Sequence, residues 1–382
     1  MKKFSLEEFR KSGYRTLNWV EISKKALIKN HKALQILHPQ SKICPVLKSN
    51  AYGHGFKQIA EIFDTLNYEF LIVDSLFEAY KLQKLKIKTR ILIMGYTAPV
   101  NFSKKKLNFD FAVSDIQTAR ALDKYQKNCR VHIFIDTGMR REGVLLSELS
   151  DFLNEIKELK NLKVVGLCSH FSDTDNPKSL DFTNMQIQNY NKALMIFKQK
   201  GLSLEHRHIS ASAGAIKIYD KDFNMIRAGI AHYGITPLEK NDKFYNKLSL
   251  TPALQLCSTL AMVKHIKKGD SVGYSRKFKA KKDMTIGLLP AGYYEGVERS
   301  LSNKGFVKIR KFFYPIIGQV SMNMTTIDIT NLKNPKIGEK VIIYSSNVDD
   351  KNSILNSAIL VGTIPYVLLA NIAESVRRKI VD

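Results

Sequence analysis

Eight short apolar runs recur through the first two-thirds of the chain, at residues 43–48, 70–76, 90–96, 109–115, 131–138, 164–171, 206–212 and 225–234. They are near-continuously apolar rather than alternating, as strands covered on both faces are. Polar or amphipathic segments lie between them. One, 147–161 (SELSDFLNEIKELKN), opens on a serine and places apolar residues at helical spacing. Strands alternating with helices predict a parallel (β/α)8 barrel of the TIM type, with a doubly wound open sheet as the alternative.

Past residue 240 the texture changes. Runs such as MTIGLLPAGY (284–293), GFVKIRKFFYPIIGQV (305–320) and EKVIIYSS (339–346) are β-type and joined by Gly, Pro, Asn and Lys turns. The expected division is a barrel over 14–240 and a mostly-β C-terminal domain over 241–382, with residues 1–20 packing beside the latter. The polar stretch LEKNDKFYNK (238–247) marks the boundary.

In a barrel of this kind, chemistry gathers at the C-terminal ends of the strands. Lys48 ends the first run, in PVLKSNAYGHG. Asp136, Thr137, Gly138 and Met139 end the fifth, with Arg140 and Arg141 beyond. His170 ends the sixth, Ser210 and Ser212 the seventh, and Arg227, Ala228 and Gly229 fall within the eighth. Turns at Ser212 and at Gly229–Ile230 are suited to present backbone N–H groups to a phosphate. A lysine beside a phosphate cradle is the minimum set for pyridoxal phosphate held covalently through an amine. No Gly-rich nucleotide motif competes with that reading. Taken singly, each residue has a plainer explanation. Lys48 reads equally as a lysine reaching solvent and His170 as a satisfied core histidine. Arg227 reads as a guanidinium bridging to a barrel carboxylate, and Tyr52, Tyr274, Tyr293 and Tyr366 as packing.

Composition adds limits. The 382 residues are 44% hydrophobic, ample for two cores, and the net charge is +25. The basic residues are scattered and no nucleic-acid-binding motif accompanies them, so a lysine-rich solvated surface is expected, with no nucleic-acid partner. Cys44, Cys129, Cys168 and Cys257 form no C-x-x-C pair and have no zinc-ligand spacing, so buried free thiols in a reducing compartment are expected, and no metal. The first seventeen residues lack an apolar core segment, which implies no secretory leader and a cytoplasmic protein. The most apolar stretch, 354–373, carries Asn, Ser, Gly and Pro, so it reads as a buried helix or strand and not as a membrane span.

Together the motifs resemble one family. VLKSNAYGHG (46–55) resembles the cofactor-lysine signature of alanine racemases, and IDTGMRREG (135–143) and RAGIAHYG (227–234) are similar to two further family segments. VGYSRKF (272–278) resembles the segment carrying the family's catalytic tyrosine. LPAGYYEGVERSLSN, IIGQVSMNM, TIPY and the opening LNWVEISKKALIKNHKAL match others in order, from about residue 14 to 370.

The resemblance implies a pyridoxal 5'-phosphate enzyme that interconverts L- and D-alanine with two bases, supplying D-alanine for peptidoglycan, as a head-to-tail homodimer with shared sites. It implies that Lys48 binds the cofactor and is one acid/base, and that Tyr274 from the second subunit is the other. Arg227 would face the pyridine nitrogen and His170 would bridge Arg227 and Tyr274. Tyr52, Ser212, Gly229, Ile230 and Tyr366 would hold the phosphate. Arg141 would support the cofactor's phenolic oxygen, Met322 would offer backbone N–H to the substrate carboxylate, and Met139, Tyr293 and Tyr366 would shape the pocket. A broad-specificity or serine racemase is the nearest rival, followed by a non-catalytic cofactor carrier, a basic nucleic-acid binder and a decarboxylase.

The chain departs from the family's pattern in several places. Phe134 stands where a carbamylated lysine is common, which leaves open how Arg141 is held. Ala211 replaces an asparagine, Glu295 and Asn323 each replace an aspartate, and Gln319 stands where arginine is common.

Overall fold

The computed structural model describes residues 14–382. Most of the seventeen residues read for a leader, and most of the 1–20 segment expected beside the β domain, lie outside them. The described chain forms two compact units. One is Lys25–Thr251; the other is Pro252–Asp382 with the described residues up to Lys24.

All eight apolar runs of the first unit contain a strand: β1 (Lys42–Pro45), β2 (Phe70–Val73), β3 (Arg90–Ile93), β4 (Asp110–Val113), β5 (Cys129–Asp136), β6 (Leu162–Cys168), β7 (His206–His208) and β8 (Met225–Ala228). Strands β2 to β7 pair in chain order in one curled parallel sheet, and β8 pairs with β1 in parallel. Val46 bridges to Ile72, and Leu47 N donates to Ile72 O at 2.8 Å. At the other margin Arg227 N donates to Ser210 O at 3.0 Å and Asn224 N to Arg207 O at 3.1 Å. The strands are buried along nearly their whole length, as their lack of alternation requires. Phe70, Ile72 and Leu92 pack with Cys44 and Met225 at their centre.

Helices alternate with the strands, among them Leu76–Lys84, Ile116–Tyr125, Leu149–Glu158 and Asp181–Gln199. Ser75 and Asp115 cap the first two by accepting from backbone N–H three residues on. The helix expected to open on Ser147 begins instead at Leu149. Its N-cap is Glu148, which makes no side-chain cap bond, because Leu149, Leu153 and Ile156 set the buried face.

The second unit is built on a nine-stranded sheet. Trp19–Ile22 lies between Leu254–Thr259, antiparallel, and Arg377–Ile380, parallel. The remaining strands extend the sheet antiparallel through Lys340–Tyr344 to the edge at Met262–Ile266. A small hairpin, Ser271–Val272 against Phe278–Lys279, stands apart and encloses the turn Tyr274–Arg276. The apolar stretch 354–373 forms two short helices, Ile354–Val361 and Pro365–Ala370. Among the described residues no helix is long and apolar enough to cross a membrane. The four cysteines are free and buried, and burial pushes each thiol up to about 12.

Candidate active site

Lys48 leaves the end of β1 and enters an unusual turn. Ser49, Asn50, Ala51 and Tyr52 all have left-handed φ, between 52° and 56°. Each costs about 1–2 kcal/mol for a residue with a Cβ, so the turn persists only because its surroundings hold it. Ala51 N donates to Leu47 O at 2.8 Å, Phe56 N to Asn50 Oδ1 at 2.7 Å, and Ser49 N to Glu78 Oε1 at 2.8 Å. Glu78 also accepts from Asp74 N at 2.9 Å, which ties this turn to the end of β2. Lys48 Nζ lies 3.8 Å from Asp74 Oδ1, with the two side chains 45% and 59% exposed. Such a solvated pair contributes about 1 kcal/mol or less, so it does not lock the amine.

Arg227, from β8, is 4% exposed and makes five hydrogen bonds, none to a carboxylate. Nη1 donates to His208 Nδ1 at 2.6 Å and to His208 O at 3.1 Å; Nη2 donates to Ser169 O at 2.6 Å, His170 Nδ1 at 3.0 Å and Ile209 O at 3.2 Å. The carboxylate bridge considered for this residue is therefore not its role. Because a guanidinium only donates, His170 Nδ1 is an acceptor here and the ring's proton sits on Nε2. Burial, then the charges of Arg227, Arg141 and Lys48, hold His170 down to about 3. It is a neutral imidazole among cations.

A second cluster lies at the ends of β7 and β8. Ser212 Oγ accepts from Gly229 N at 3.1 Å and Ala231 N at 3.2 Å. Ser212 opens the helix Ser212–Lys217, whose N-cap, Ala211, makes no side-chain cap bond, so the substitution of asparagine there leaves the helix start without a side-chain acceptor. Gly229 has to be glycine: a Cβ would stand 2.3 Å from Tyr52 Oη. The Tyr52 and Ser212 hydroxyls thus each lie against Gly229, with Ile230 next along the chain. This is a cradle for a small polyoxygen anion.

The loop after β5 is folded around Asp136, whose carboxylate accepts from Gly138 N at 2.7 Å and Arg140 N at 3.2 Å. Thr137 bonds Ser169 Oγ at 2.9 Å, Met139 is half-buried, and Gly143 returns so closely that a Cβ would lie 2.5 Å from Asp136 N. Phe134 is buried in β5 and offers Arg141 no polar partner. The partner is Glu142, whose Oε1 accepts from Arg141 Nη2 at 2.6 Å. Phe134 and Glu142 line one cavity of about 60 Å³ beside Tyr96 and Thr97.

Four predicted residues belong to the second unit. Tyr274 is 70% exposed on its hairpin turn, where Ser275 and Arg276 have left-handed φ. Tyr293 and Met322 are also exposed. Their segments run together, with Tyr293 N donating to Ser321 O at 3.0 Å and Tyr294 N to Met322 O at 2.9 Å. Tyr366 lies in the helix Pro365–Ala370. Two of the departures from the family's pattern are partners: Asn323 Nδ2 donates to Glu295 Oε1 at 2.8 Å. An amide opposite a carboxylate removes the repulsion that two acids would meet there.

Asp74, Glu78, Ser169, His208 and Glu142 were not among the predicted site residues. The aspartate that ends the second apolar run and the histidine that ends β7 were visible at strand ends in the sequence. Glu78, in the first turn of its helix, and Glu142, in a loop, act through tertiary contacts that no spacing reveals.

The anion cradle at Tyr52, Ser212 and Gly229, the strand-end amine of Lys48 and the buried donor Arg227 fit the phosphate, aldehyde and ring of pyridoxal phosphate. The fold and site define the class of pyridoxal-phosphate-dependent enzymes built on a curled parallel sheet with a separate β domain. Residues 22–237 match the family model for the alanine racemase N-terminal domain and residues 253–380 that for the C-terminal domain. An alanine racemase of Clostridium perfringens is 35% identical over 372 residues, covering 94% of each chain. One of Methanococcus maripaludis is 32% identical over 367 residues, covering 94% of this chain and 97% of the relative. Among solved structures, the alanine racemase of Clostridium difficile superposes with a TM-score of 0.89 at 28% identity, over 96% of both chains. That of Bacillus anthracis with bound L-Ala-P gives 0.88 at 26% identity, over 97% of this chain and 96% of the other. This chain belongs to the alanine racemase family, whose members depend on pyridoxal phosphate.

Proposed function

We propose that this protein interconverts L- and D-alanine, with Lys48 and Tyr274 handling the α-proton on opposite faces of the substrate. Bound pyridoxal phosphate supplies the electron sink that makes that proton acidic. Lys48 Nζ holds the cofactor and moves a proton on one face; Tyr274 Oη moves a proton on the other. Arg227 donates toward the ring nitrogen and keeps its own proton, because a guanidinium gives it up only far above neutral pH. His170 takes Arg227's hydrogen bond on Nδ1 and has its Nε2–H free to donate to the Tyr274 oxygen. Tyr52, Ser212, Gly229, Ile230 and Tyr366 bind the phosphate, Arg141 supports the phenolic oxygen, and the Met322 backbone binds the substrate carboxylate. Met139, Tyr293 and Tyr366 bound the pocket.

Tyr274 reaches the site from the partner in a head-to-tail homodimer. The support is its 70% exposure together with the exposed apolar side chains Ile359 and Ile364 in the same unit. The eight strands close into a (β/α)8 barrel, a reading supported by the Val46–Ile72 bridge at one margin and the Arg227–Ser210 bond at the other. Four buried free thiols fit a cytoplasmic setting, and D-alanine made there supplies peptidoglycan precursors, as the family resemblance implies.

The observation that carries this reading is Arg227, a buried guanidinium bonded only to carbonyls and imidazoles. The test is incubation of the cofactor-loaded protein with L-alanine in D2O, followed by chiral chromatography and NMR. Approach to equal L and D with deuterium at Cα is expected. Absence of both products and exchange would sink the proposal.

A further inference from the structure

A line of buried polar side chains runs from Arg227 into the centre of the first unit, and the proposed reaction leaves it unused. Arg227 Nη1 lies 2.6 Å from His208 Nδ1, His208 Nε2 lies 2.8 Å from His132 Nδ1, and His132 Nε2 faces Asp110 Oδ2 at 3.6 Å. Both imidazoles are fully buried and Asp110 nearly so. The last separation is too long for a hydrogen bond and is an electrostatic contact. Asp110 Oδ2 also receives Arg90 at 2.7 Å and Arg130 Nε at 3.3 Å.

The direction of this line follows from its first member. Arg227 can only donate, so His208 Nδ1 accepts. Burial first, with the nearby positive groups, holds both imidazoles below their ordinary range, so each carries one proton. The His208 proton is then on Nε2, and the 2.8 Å contact makes His132 Nδ1 the next acceptor. The His132 proton is left on Nε2, aimed at the carboxylate. Reversing any one link sets two N–H groups against each other in the buried core. The His132 ring has no freedom to evade this. A Cβ at residue 166 would lie 2.2 Å from its Nδ1, so Gly166 is what admits the ring, and His206 stacks on it at 5.3 Å between centroids. His206 faces Glu69, 3.8 Å from its Nε2, and Glu69 in turn binds Lys42 and Arg90.

We propose that His208 and His132 form a one-way donor chain linking the Asp110 carboxylate to Arg227, so that His132 and Asp110 are positioning residues that keep the guanidinium oriented and charged. Chained hydrogen bonds polarise one another, and here the polarisation presents negative potential to a cation that has no carboxylate of its own. The chain stands on the geometry around Arg227. It rests on the proposed function only where cofactor affinity is the readout.

The test is long-range 1H–15N NMR of histidine in the pyridoxal-phosphate-loaded protein. His132 and His208 are expected to be neutral and both protonated on Nε2. A proton on Nδ1 of His208, or a charged ring at either position, overturns the chain. Two variants test the positioning role through cofactor affinity. His132→Leu strands the His208 donor and is expected to weaken pyridoxal phosphate binding roughly tenfold, whereas His132→Gln, which restores an acceptor, recovers most of it. Equal affinity in wild type and both variants overturns the role. Should His132→Leu fail to fold, Asp110→Asn is titrated in its place, with about threefold weaker binding expected and wild-type affinity again overturning the role. The expected tautomers in a protein that does not racemise alanine would refute the proposed function and leave the chain standing.

Discussion

The two units hold their proposed site residues in opposite ways. In the first, Arg227 is held through Nη1 and Nη2 by five hydrogen bonds, and the Lys48 turn is pinned by Glu78, Asn50 and Leu47 against the strain of four left-handed residues. In the second, Tyr274, Tyr293 and Met322 stand exposed on turns. A group that must tune a cofactor has to be fixed before the reaction begins, and burial in a polar lattice fixes it. A tyrosine proposed to complete a site in another subunit has to be presented at the surface. The contrast separates stability from activity and can be attacked on both sides.

The largest effect is expected from Arg227→Leu. It strands three carbonyls and two imidazoles in the core, which should cost about 2–4 kcal/mol of stability and abolish cofactor retention. Denaturant unfolding and the absorbance of bound cofactor measure the two losses, and a variant as stable as wild type would show that the lattice around Arg227 is slack. Tyr274→Phe should do the reverse. Racemisation falls by about 10²–10⁴ while the unfolding free energy stays within about 0.5 kcal/mol of wild type, as parallel kinetics and denaturant unfolding would show.

Acid should loosen the first unit. Burial, reinforced by neighbouring cations at His170 and by His132 at His206, holds His170, His206 and His232 down to about 3, 4 and 3. The unfolded chain takes up these protons below about pH 6.5 and the folded chain does not. Their contribution to stability is therefore full above about 6.5 and lost progressively down to about 3, at up to about 1.4 kcal/mol per pH unit for each histidine. Urea titrations between these limits should show uptake of more than one proton on unfolding; a flat profile would mean the rings are solvated. The smallest effect is expected from Glu142→Gln. The Arg141–Glu142 pair is half exposed, so a rise of about two- to fivefold in KM with little change in kcat is expected from steady-state kinetics.

Much of this was legible before the fold was known. Near-continuous apolar runs located all eight strands, because a strand buried on both faces has no other way to be written. Lys48 and His170 drew attention by standing at the ends of such runs, and Arg227 as a guanidinium inside one. The left-handed turn did not, since Ser-Asn-Ala-Tyr contains no glycine to signal positive φ and its support comes from Glu78, one helix away. The Arg227–His208–His132 contacts were equally hidden, because they join three strands that are distant in sequence. Phe134 left open how Arg141 is held. The adjacent Glu142 supplies the support, and only the path of the loop shows its carboxylate turned back onto the guanidinium.

The most direct test of the divided site is complementation between two inactive chains. Lys48→Ala keeps Tyr274, and Tyr274→Phe keeps Lys48. Co-expressed, they should form hybrid dimers in which one of the two sites is intact, and alanine racemisation should return to about a quarter of the wild-type rate. Recovery at that level is the predicted result. Co-expressed chains that assemble together and remain as inactive as either alone would contradict the account, because Lys48 and Tyr274 would then have to act within one chain.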